Sequence, residues 1–267
     1  MLELHEFEQV TQIRLSRELD NKALYWVAAY LVDGLLIDTG CLYTSKELTS
    51  YLSTKNIRKV INTHFHEDHI GGNKDIMAEF GVEIYAYPDS IPFIAGRPVL
   101  YPYQEIVWGY PEPTDVKPIP DIITTDKYSF RVIETPGHCV GHVALMELSK
   151  GWCFSGDIFA REDIKCIRPE ENISDLISSM RRILSLAGDR LVLFTSVGKI
   201  VEDGRKALSV CIDYLIGKAD RVKKMARDNH SVDEMVNMVF GGEHSFYQLT
   251  GGQYSSKNLI RSLLDTK

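Results

Sequence analysis

The amino-acid sequence predicts a layered α/β sandwich that is followed by C-terminal helices. An apolar hairpin in the first 40 residues and a strand-helix-strand rhythm after it favour such layers. Helical spacing then dominates beyond residue 204. The 267 residues suffice for one large domain or two modest ones. We expect a core domain over residues 1–228 and a helical appendix, residues 229–267, that packs on the core.

The first elements are strands with one helix between them. Two apolar arms of the stretch YWVAAYLVDGLLIDTG flank Asp33 and Gly34, a dipeptide that suits a tight hairpin turn because it tolerates positive φ. The stretch SKELTSYLSTKN has helical spacing, and RKVINT predicts a short strand. Asn73 is placed to cap a second helix that Gly81 ends, and VEIYAY predicts a further strand.

Residues 88–120 differ in composition from the rest, since eight of the ten prolines lie there among aromatic residues. A stretch this long without periodicity is typical of a functional loop or lid, and a stiff loop over the sheet edge fits as well. The sequence leaves both interpretations open.

Strands resume at YSFRVIET, HVALMEL and WCFSGD. Ser174 opens a helical pattern that Gly188 closes, and RLVLFTS predicts the last strand. Beyond Gly204 the apolar residues are three and four apart, which indicates helices. The stretch SVDE, residues 231–234, has the spacing of a capping box, and SSKNLIRSLL predicts a terminal helix.

Composition and charge narrow the range of functions. The net charge is -7 with pI ≈ 5.6, and no Lys/Arg run is long, so we expect no nucleic-acid partner. The five cysteines, an odd number without a CxxC pair, favour reduced thiols in the cytosol over a disulfide framework. The first ten residues have no signal-peptide pattern, and no apolar run approaches ~20 residues. We expect a cytoplasmic protein without a membrane partner.

The stretch VINTHFHEDHIGG crowds ionisable side chains where a strand ends. His64 and His66 are two apart, so their side chains point the same way on an extended segment, and Asp68 continues that alternation. His69 follows as the chain turns. Such a crowd is costly unless a cation neutralises it, and imidazole with carboxylate is a ligand set favoured by Zn, Fe or Mn. The stretch therefore predicts a divalent metal site.

Two further segments place a polar residue just past an apolar strand. The stretch VIETPGHCVGH puts His138 on a Pro-Gly turn, and WCFSGDIF puts Asp157 after Gly156. Strand-end loops at one rim of a sandwich are where a rigid scaffold presents ligands. His138 and Asp157 therefore join the candidate metal ligands.

The stretches THFHEDHIGG, TPGHCVGHVAL and FSGDIF, with GLLIDTG upstream, resemble the metallo-β-lactamase-fold hydrolases, in that family's order. The resemblance extends to about Val201, and within the family the chain is loosely similar to the glyoxalase II-like and lactonase-like branch. It implies a four-layer αββα sandwich with a binuclear metal site on one edge. By matching position it also implies the metal ligands: His64, His66 and His138 for the first ion, Asp68 and His69 for the second, and Asp157 as the bridge.

Four further residues lie near these ligands in the sequence; the resemblance implies roles for the first three, and the neighbouring metal site implies one for Cys139. Asp38 would orient a ligand rather than bind metal, and His142 would be a structural residue beside the site. Glu67, at the variable position between ligands, is expected to face solvent. Cys139 is expected to be a packed thiol next to the site and not a nucleophile.

The sequence departs from the family at one position. Family members place a further histidine in a Gly-His-Gly-like turn after the last core strand, where this chain has LFTSVGKI with Val197 or a neighbour instead. A weak second site, a single-metal site and a replacement ligand are the alternatives. His230 and His244 are the candidate replacements, although we expect both to be loop or surface residues.

A metal in this site would leave a position open for water and lower the pKa of that water towards neutrality, which creates a hydroxide nucleophile. We therefore predict a metal-dependent hydrolase that uses a metal-bound hydroxide on an ester, thioester, lactone or related small-molecule acyl substrate. Asp68 would hold the water and relay its proton to the leaving group. The expected cofactor is Zn, as one or two ions, with Fe or Mn as alternatives.

Two other functions stay open. In persulfide dioxygenase-like relatives of this fold, the positions matching His64, His138 and Asp157 form a mononuclear iron site, so an iron-dependent oxidoreductase is the main alternative. A non-catalytic binding protein is the third. Aromatic residues in 88–120 indicate an apolar or planar substrate portion or simple loop packing. The stretch FGGEHSFYQLTGGQYSS would close over the site or mediate a homodimer.

Overall fold

The structure, a computed structural model, describes residues 1–266. Its strands form two large sheets and one small exposed hairpin. In chain order the strands are β1 (Leu2–Phe7), β2 (Val10–Leu15), β3 (Glu18–Leu19), β4 (Lys22–Ala23), β5 (Val27–Val32), β6 (Leu35–Ile37), β7 (Lys59–Ile61), β8 (Glu83–Ala86), β9 (Lys117–Pro118), β10 (Ile122–Thr124), β11 (Ser129–Glu134), β12 (Val143–Glu147), β13 (Trp152–Gly156), β14 (Val192–Thr195) and β15 (Ile200–Val201).

Each large sheet combines antiparallel and parallel pairs. The seven-stranded sheet has the order β1-β2-β5-β6-β7-β8-β9 and is antiparallel up to β6 and parallel from there on. The six-stranded sheet has the order β10-β11-β12-β13-β14-β15, and β13 with β14 is its parallel pair. The carboxyl ends of parallel neighbours lie at one edge of a sheet, where side chains from separate loops can meet.

The helices cover the outer faces of both sheets. In chain order they are α1 (Ser45–Leu52), α2 (Glu67–Ile70), α3 (Asn73–Phe80), α4 (Ile91–Ala95), α5 (Pro102–Val107), α6 (Ile173–Leu186), α7 (Gly204–Arg227), α8 (Val232–Phe240), α9 (Phe246–Leu249) and α10 (Ser256–Leu264), with 3-10 turns at Leu42–Thr44 and Pro88–Ser90.

Strand periodicity divides the apolar residues between separate cores. Leu35 and Ile37 of β6 pack between the sheets with Phe154 and Phe194 of the second sheet, whereas Leu36 packs outward against α1 and α3. This alternation follows from the two-residue repeat of a strand, which sends successive side chains to opposite faces. Both faces of the central strands β6, β12 and β13 are therefore buried, and the predicted four-layer αββα sandwich is confirmed.

The outer face of the second sheet is covered by α6, α7, α8 and α10, which share one hydrophobic core with it. Leu259, Ile260 and Leu263 of α10 are completely buried in that core. Burial of each such side chain contributes about 1.5–3 kcal/mol. The C-terminal helices thus pack on the sandwich, while the boundary at residue 228 stays a prediction.

Three local expectations differ from the structure. Residues 88–120 contain α4, α5 and β9 and are not a loop throughout. Asn73 does not cap α3, because its side chain pairs with Asn62 and Thr39 instead. Asn172 caps α6, two residues before the predicted Ser174. In contrast, the capping box of Ser231 and Glu234 is confirmed.

Over residues 1–266, none of the helices combines the length and the apolar character that crossing a bilayer requires.

Candidate metal centre

Four of the candidate ligands lie on loops at one edge of the sandwich, and Asp68 and His69 lie in the short helix α2 beside them. His64 and His66 follow β7, and His138 lies in the connection between β11 and β12. Asp157 follows β13, which is parallel to β14. Residues that are up to 93 positions apart are brought together because these strand ends meet at the same edge.

Four of the predicted ligands converge on one point. Ligand atoms of His64, His66, His138 and Asp157 all lie within 4.8 Å of one another. His138 Nε2 is 3.0 Å from His66 Nδ1 and 3.3 Å from Asp157 Oδ2, and His64 Nε2 is 3.9 Å from the same carboxylate oxygen. The three imidazoles are buried, and the Asp157 side chain is 19% exposed.

The chemistry of these groups fits a divalent cation. His64 is fully buried, yet its Nε2 has no hydrogen-bond partner among the described residues. A buried polar atom without a partner costs about 1–3 kcal/mol, which a cation bound between imidazole and carboxylate ligands would offset. The cluster therefore indicates that the protein uses a metal ion.

Asp68 and His69 lie beside this cluster and form a second position. His69 Nε2 is 3.6 Å from Asp68 Oδ2 and 3.7 Å from Asp157 Oδ2. Neither His69 Nε2 nor Asp68 Oδ1 has a hydrogen-bond partner in the part of the chain that the structure describes. Asp157 thus lies between the two positions, but its role as a bridging ligand and the occupancy of the second position stay predictions.

Buried hydrogen bonds fix the orientation of the imidazoles. Asp38 Oδ2 lies 2.9 Å from His69 Nδ1 and also accepts from the Thr63 hydroxyl, while Asp38 Oδ1 accepts from the Thr63 N–H. His142 Nδ1 pairs with Thr135 at 2.8 Å, and its Nε2 accepts from the backbone N–H of Asp157. Such partners determine which ring nitrogen is free to bind metal.

A glycine lets Asp157 approach His142 this closely. Gly156 has φ +50°, and a Cβ atom there would lie 2.5 Å from His142 Nε2. Positive φ and the lack of space both require glycine. The Gly-Asp pair after β13 is therefore needed for the geometry of the site.

Burial and neighbouring charges shift the pKa values of the cluster. Burial lowers the pKa of His64 well below its usual value. Burial has the same tendency at His138, but the carboxylates of Asp157 and Glu171 outweigh it and raise that pKa. Although burial favours the neutral acid, His69 and His138 hold the pKa of Asp157 well below its usual range. Protonation of His69 and His138 and ionisation of Asp157 thus favour one another in the metal-free site, and a divalent cation would compete with these protons.

The expectation that Glu67 faces solvent is wrong. Glu67 is 3% exposed, and its Oε1 accepts a hydrogen bond of 2.7 Å from Gln104 Nε2. Gln104 belongs to α5, so this bond attaches residues 88–120 to the metal-binding motif. Burial, followed by the charge of Asp68, raises the pKa of Glu67.

Ser196 follows β14, where the family has its further histidine. Its hydroxyl donates to Asp157 Oδ1, which leaves Oδ2 as the oxygen nearest to the histidines. The candidate replacements lie elsewhere: His230 pairs with Glu234, and His244 packs against Phe246. Over residues 1–266, neither histidine belongs to the cluster of His64, His66, His138 and Asp157.

Arg168 is a site residue that the sequence did not reveal. Its side chain is 3% exposed, with Nη1 at 3.2 Å from His66 Nε2 and Nε donating to the Tyr254 hydroxyl. Ile167 and Ser255 form an antiparallel bridge that holds the two segments together. A lone arginine in the stretch KCIRPE matches no motif, so only the fold could place it here.

Cys139 is buried beside His138, and burial raises the pKa of its thiol well above the usual value. A thiol with a raised pKa is a poor nucleophile at neutral pH. The expectation of a packed thiol agrees with this burial.

A cavity of about 360 Å³ opens at the centre. Asp68, Asp157 and Arg168 lie on its inner side. One wall comes from residues 103–108 and another from residues 246–254, and the Tyr103 hydroxyl donates to the Gln253 side chain between them. The remaining lining residues are Leu24, Tyr25, Val27, Ser196 and Val197. Such a size and position suit a small-molecule site.

Comparison with known proteins identifies similar sequences over most of the sandwich. The family described as Metallo-beta-lactamase superfamily matches residues 27–195. Hydroxyacylglutathione hydrolase GloC of Haemophilus influenzae is 27% identical over 161 residues, which are 58% of this chain and 74% of that protein. Beta-lactamase-like protein 2 homolog of Drosophila melanogaster is 30% identical over 191 residues, which are 63% of this chain and 56% of that protein.

A solved structure extends the similarity to the whole fold. A beta-lactamase domain protein from Burkholderia ambifaria has a TM-score of 0.72 at 19% identity, with 98% of this chain and 87% of that chain covered. The chain spans about half to three quarters of the length of the two relatives compared by sequence. Together the family match and the relatives' names support the predicted class, a metallo-hydrolase.

Proposed function

This chain belongs to the metallo-beta-lactamase superfamily, and we propose that it is a metal-dependent hydrolase of an ester, thioester, lactone or related acyl substrate. The observation that carries the proposal is the cluster of His64, His66, His138 and Asp157 next to a cavity that a small molecule can enter. Relatives named hydroxyacylglutathione hydrolase, one of them in Haemophilus influenzae, support the acyl substrate class.

The residues of the cluster would hold the ion, and Asp68 and His69 would hold a second one where it binds. When bound, a divalent cation lowers the pKa of water and polarises an acyl carbonyl. Zn is the metal that we propose, with Fe or Mn as alternatives, because the donors are imidazole and carboxylate.

Asp68 is placed to move the proton of the attacking water. Its Oδ1 is buried without a hydrogen-bond partner among the described residues, and its side chain lines the cavity. The free oxygen can accept a hydrogen bond from a water molecule in the cavity and pass the proton to the leaving group. Asp38 would keep His69 in the orientation that leaves its Nε2 free.

Metal replacement and a substrate panel test this proposal. We expect chelator-treated protein to lose hydrolysis of a hydroxyacylglutathione, a lactone or an aryl ester, and reloading with Zn²⁺ to restore it. His64→Ala should lower kcat/KM by at least about 100-fold, since removal of a ligand abolishes the open metal site. His5→Ala, at an exposed histidine, is the matched control and should behave as the unmodified protein.

The same experiment distinguishes the proposed hydrolase from the alternative function, a mononuclear iron oxygenase. His64, His138 and Asp157 are the two-histidine, one-carboxylate set that this chemistry would use. One tightly held iron after aerobic purification, oxygen uptake with a persulfide and no turnover of the acyl panel would overturn the hydrolase in favour of the oxygenase. Hydrolysis that survives complete metal removal would contradict both.

A further inference from the structure

The mouth of the cavity is apolar and open to solvent. Leu24, Tyr25, Ile106, Phe246 and Leu249 line the cavity and are nevertheless between 37% and 69% exposed. Large apolar side chains that stay exposed together around a cleft mark a binding surface, because their exposure costs free energy in the unliganded protein. The outer part of the cavity therefore suits an apolar group.

The inner part of the cavity contains one positively charged side chain, that of Arg168. Arg168 is buried, donates from Nε to Tyr254 and places Nη1 3.2 Å from His66 Nε2. The backbone N–H of Arg168 donates to Glu171, and its guanidinium lies 4.0 Å from the half-exposed carboxylate of Glu170. Among the described residues, Nη2 makes no hydrogen bond. A buried guanidinium with an unused donor is a site for an anionic oxygen.

The charges of the lining restrict what fits there. Arg168 is the one basic residue among the cavity-lining residues, and Asp68 and Asp157 are the acidic ones. A ligand with several charged groups would place some of them against the apolar wall, where desolvation is unfavourable. A ligand with one anionic group and an apolar remainder meets a suitable partner at each end.

We propose that the cavity takes an amphiphilic acyl substrate, whose single anionic group pairs with Arg168 beside the metal ligands and whose apolar tail fills the mouth. This inference rests on the proposed function for the reaction itself, but it concerns binding and can be tested without turnover. The acyl group would then react on the inner side of the cavity, and Ile106 and Leu249 would determine which chain length of the tail is preferred.

The experiment measures binding of probes that are not hydrolysed. Hexane-, octane- and decanesulfonate serve as anionic probes, because sulfonates are weak metal ligands, and octanol is the neutral partner of the C8 compound. Binding is measured calorimetrically with Zn²⁺-loaded and with chelator-treated protein. We expect each added methylene to tighten binding about twofold to fourfold, as burial of a CH₂ group predicts, and octanesulfonate to bind more tightly than octanol.

Variants separate the two ends of the cavity. Leu249→Ser and Ile106→Ser should reduce the dependence on chain length, whereas Ile122→Ser, at an exposed isoleucine on β10, should not. Arg168→Met should weaken octanesulfonate about 10- to 100-fold and leave octanol unchanged. Arg181→Met, at an exposed arginine, is its matched control. Thermal unfolding shows whether each variant is folded. If Arg168→Met does not fold, Arg168→Lys, which keeps the charge, is measured in its place.

Several results would overturn the inference. If the affinity were independent of chain length, the apolar tail would not bind in the mouth of the cavity. An equal loss of octanol and octanesulfonate binding in a folded Arg168 variant would reduce Arg168 to a structural role. If the unmodified protein were a dimer, and Leu249→Ser made it dissociate without a change in probe binding, the apolar rim would be an interface with a second copy of the chain. None of these outcomes depends on whether the protein hydrolyses any acyl compound, so failure of the proposed function would be seen separately.

Discussion

Replacement of Asp38 tests how the imidazoles of the centre are held. Asp38 is 3% exposed and has φ +61°. Its carboxylate accepts from the Thr63 N–H at 2.7 Å and the Thr63 hydroxyl at 2.8 Å, and it lies 2.9 Å from His69 Nδ1. His69 Nε2 then points away without a partner among residues 1–266. Two variants, Asp38→Ala and Asp38→Asn, change this arrangement in different ways.

The alanine variant should lose stability. Hydrogen bonds to a charged group contribute about 1.5–3 kcal/mol each, and three that share one acceptor are less than additive, so we expect a loss of roughly 4–6 kcal/mol. Alanine at positive φ adds about 1 kcal/mol. Against a typical free energy of unfolding of about 5–15 kcal/mol, the metal-free variant should be marginal in urea denaturation.

The asparagine variant should instead change metal binding. Asparagine tolerates positive φ, and its Oδ1 can still accept from the Thr63 N–H. Its amide, however, donates towards His69 Nδ1, which moves the proton of the neutral imidazole to Nε2. A protonated Nε2 cannot bind a cation, so affinity at the Asp68–His69 position should fall about 10- to 100-fold. The cluster that contains His64 should keep its ion.

Metal titration against a competing chelator measures both stoichiometry and affinity, with the exposed Asp121→Asn as the control. Unchanged stoichiometry and affinity in folded Asp38→Asn would refute the assignment of His69 as a ligand. An alanine variant that loses less than about 1 kcal/mol would refute the reasoning about the buried hydrogen bonds.

Three further outcomes follow from the contacts of the site. Gln104→Ala removes the bond to Glu67 and the capping bond of α5, so the free energy of unfolding should fall by roughly 2–4 kcal/mol in urea; a change within ±0.5 kcal/mol would contradict this. The raised pKa of His138 increases the protonated fraction of its imidazole in the metal-free protein, so Zn²⁺ should release protons on binding and bind more weakly as the pH falls through that pKa. Calorimetry in buffers of different ionisation enthalpy measures this, and a buffer-independent heat would refute it. Ser196→Ala removes the hydroxyl that holds Asp157 and should lower metal affinity about tenfold, as chelator competition will show.

The four metal ligands that were predicted from the sequence and that converge in the structure share one physical property. His64, His66, His138 and Asp157 each follow an apolar strand or its turn, and strand ends at one edge of a sandwich converge whatever the detailed packing. Local patterning was therefore enough to predict their convergence. The layers were predictable for a similar reason, because alternation along strands such as β6 determines which faces are buried.

The remaining site residues depend on contacts between segments that no local pattern relates. Glu67 is buried because Gln104, 37 positions later, donates to it. Arg168 reaches His66 only because the Ile167–Ser255 bridge aligns its segment with the C-terminal part of the chain. A single arginine or glutamate without periodicity has no signature in sequence, since its environment arises from tertiary packing alone.

The Tyr103–Gln253 bond joins two walls of different origin, one from the middle of the chain and one from its last 25 residues. Every candidate metal ligand lies outside both walls. Exchange of Phe246–Leu249 (α9) between related chains would therefore reshape the mouth of the cavity, while Tyr254, Arg168 and the metal ligands stay in place. Substrate selectivity can therefore diverge through changes in this short segment alone, without a change in the candidate metal ligands.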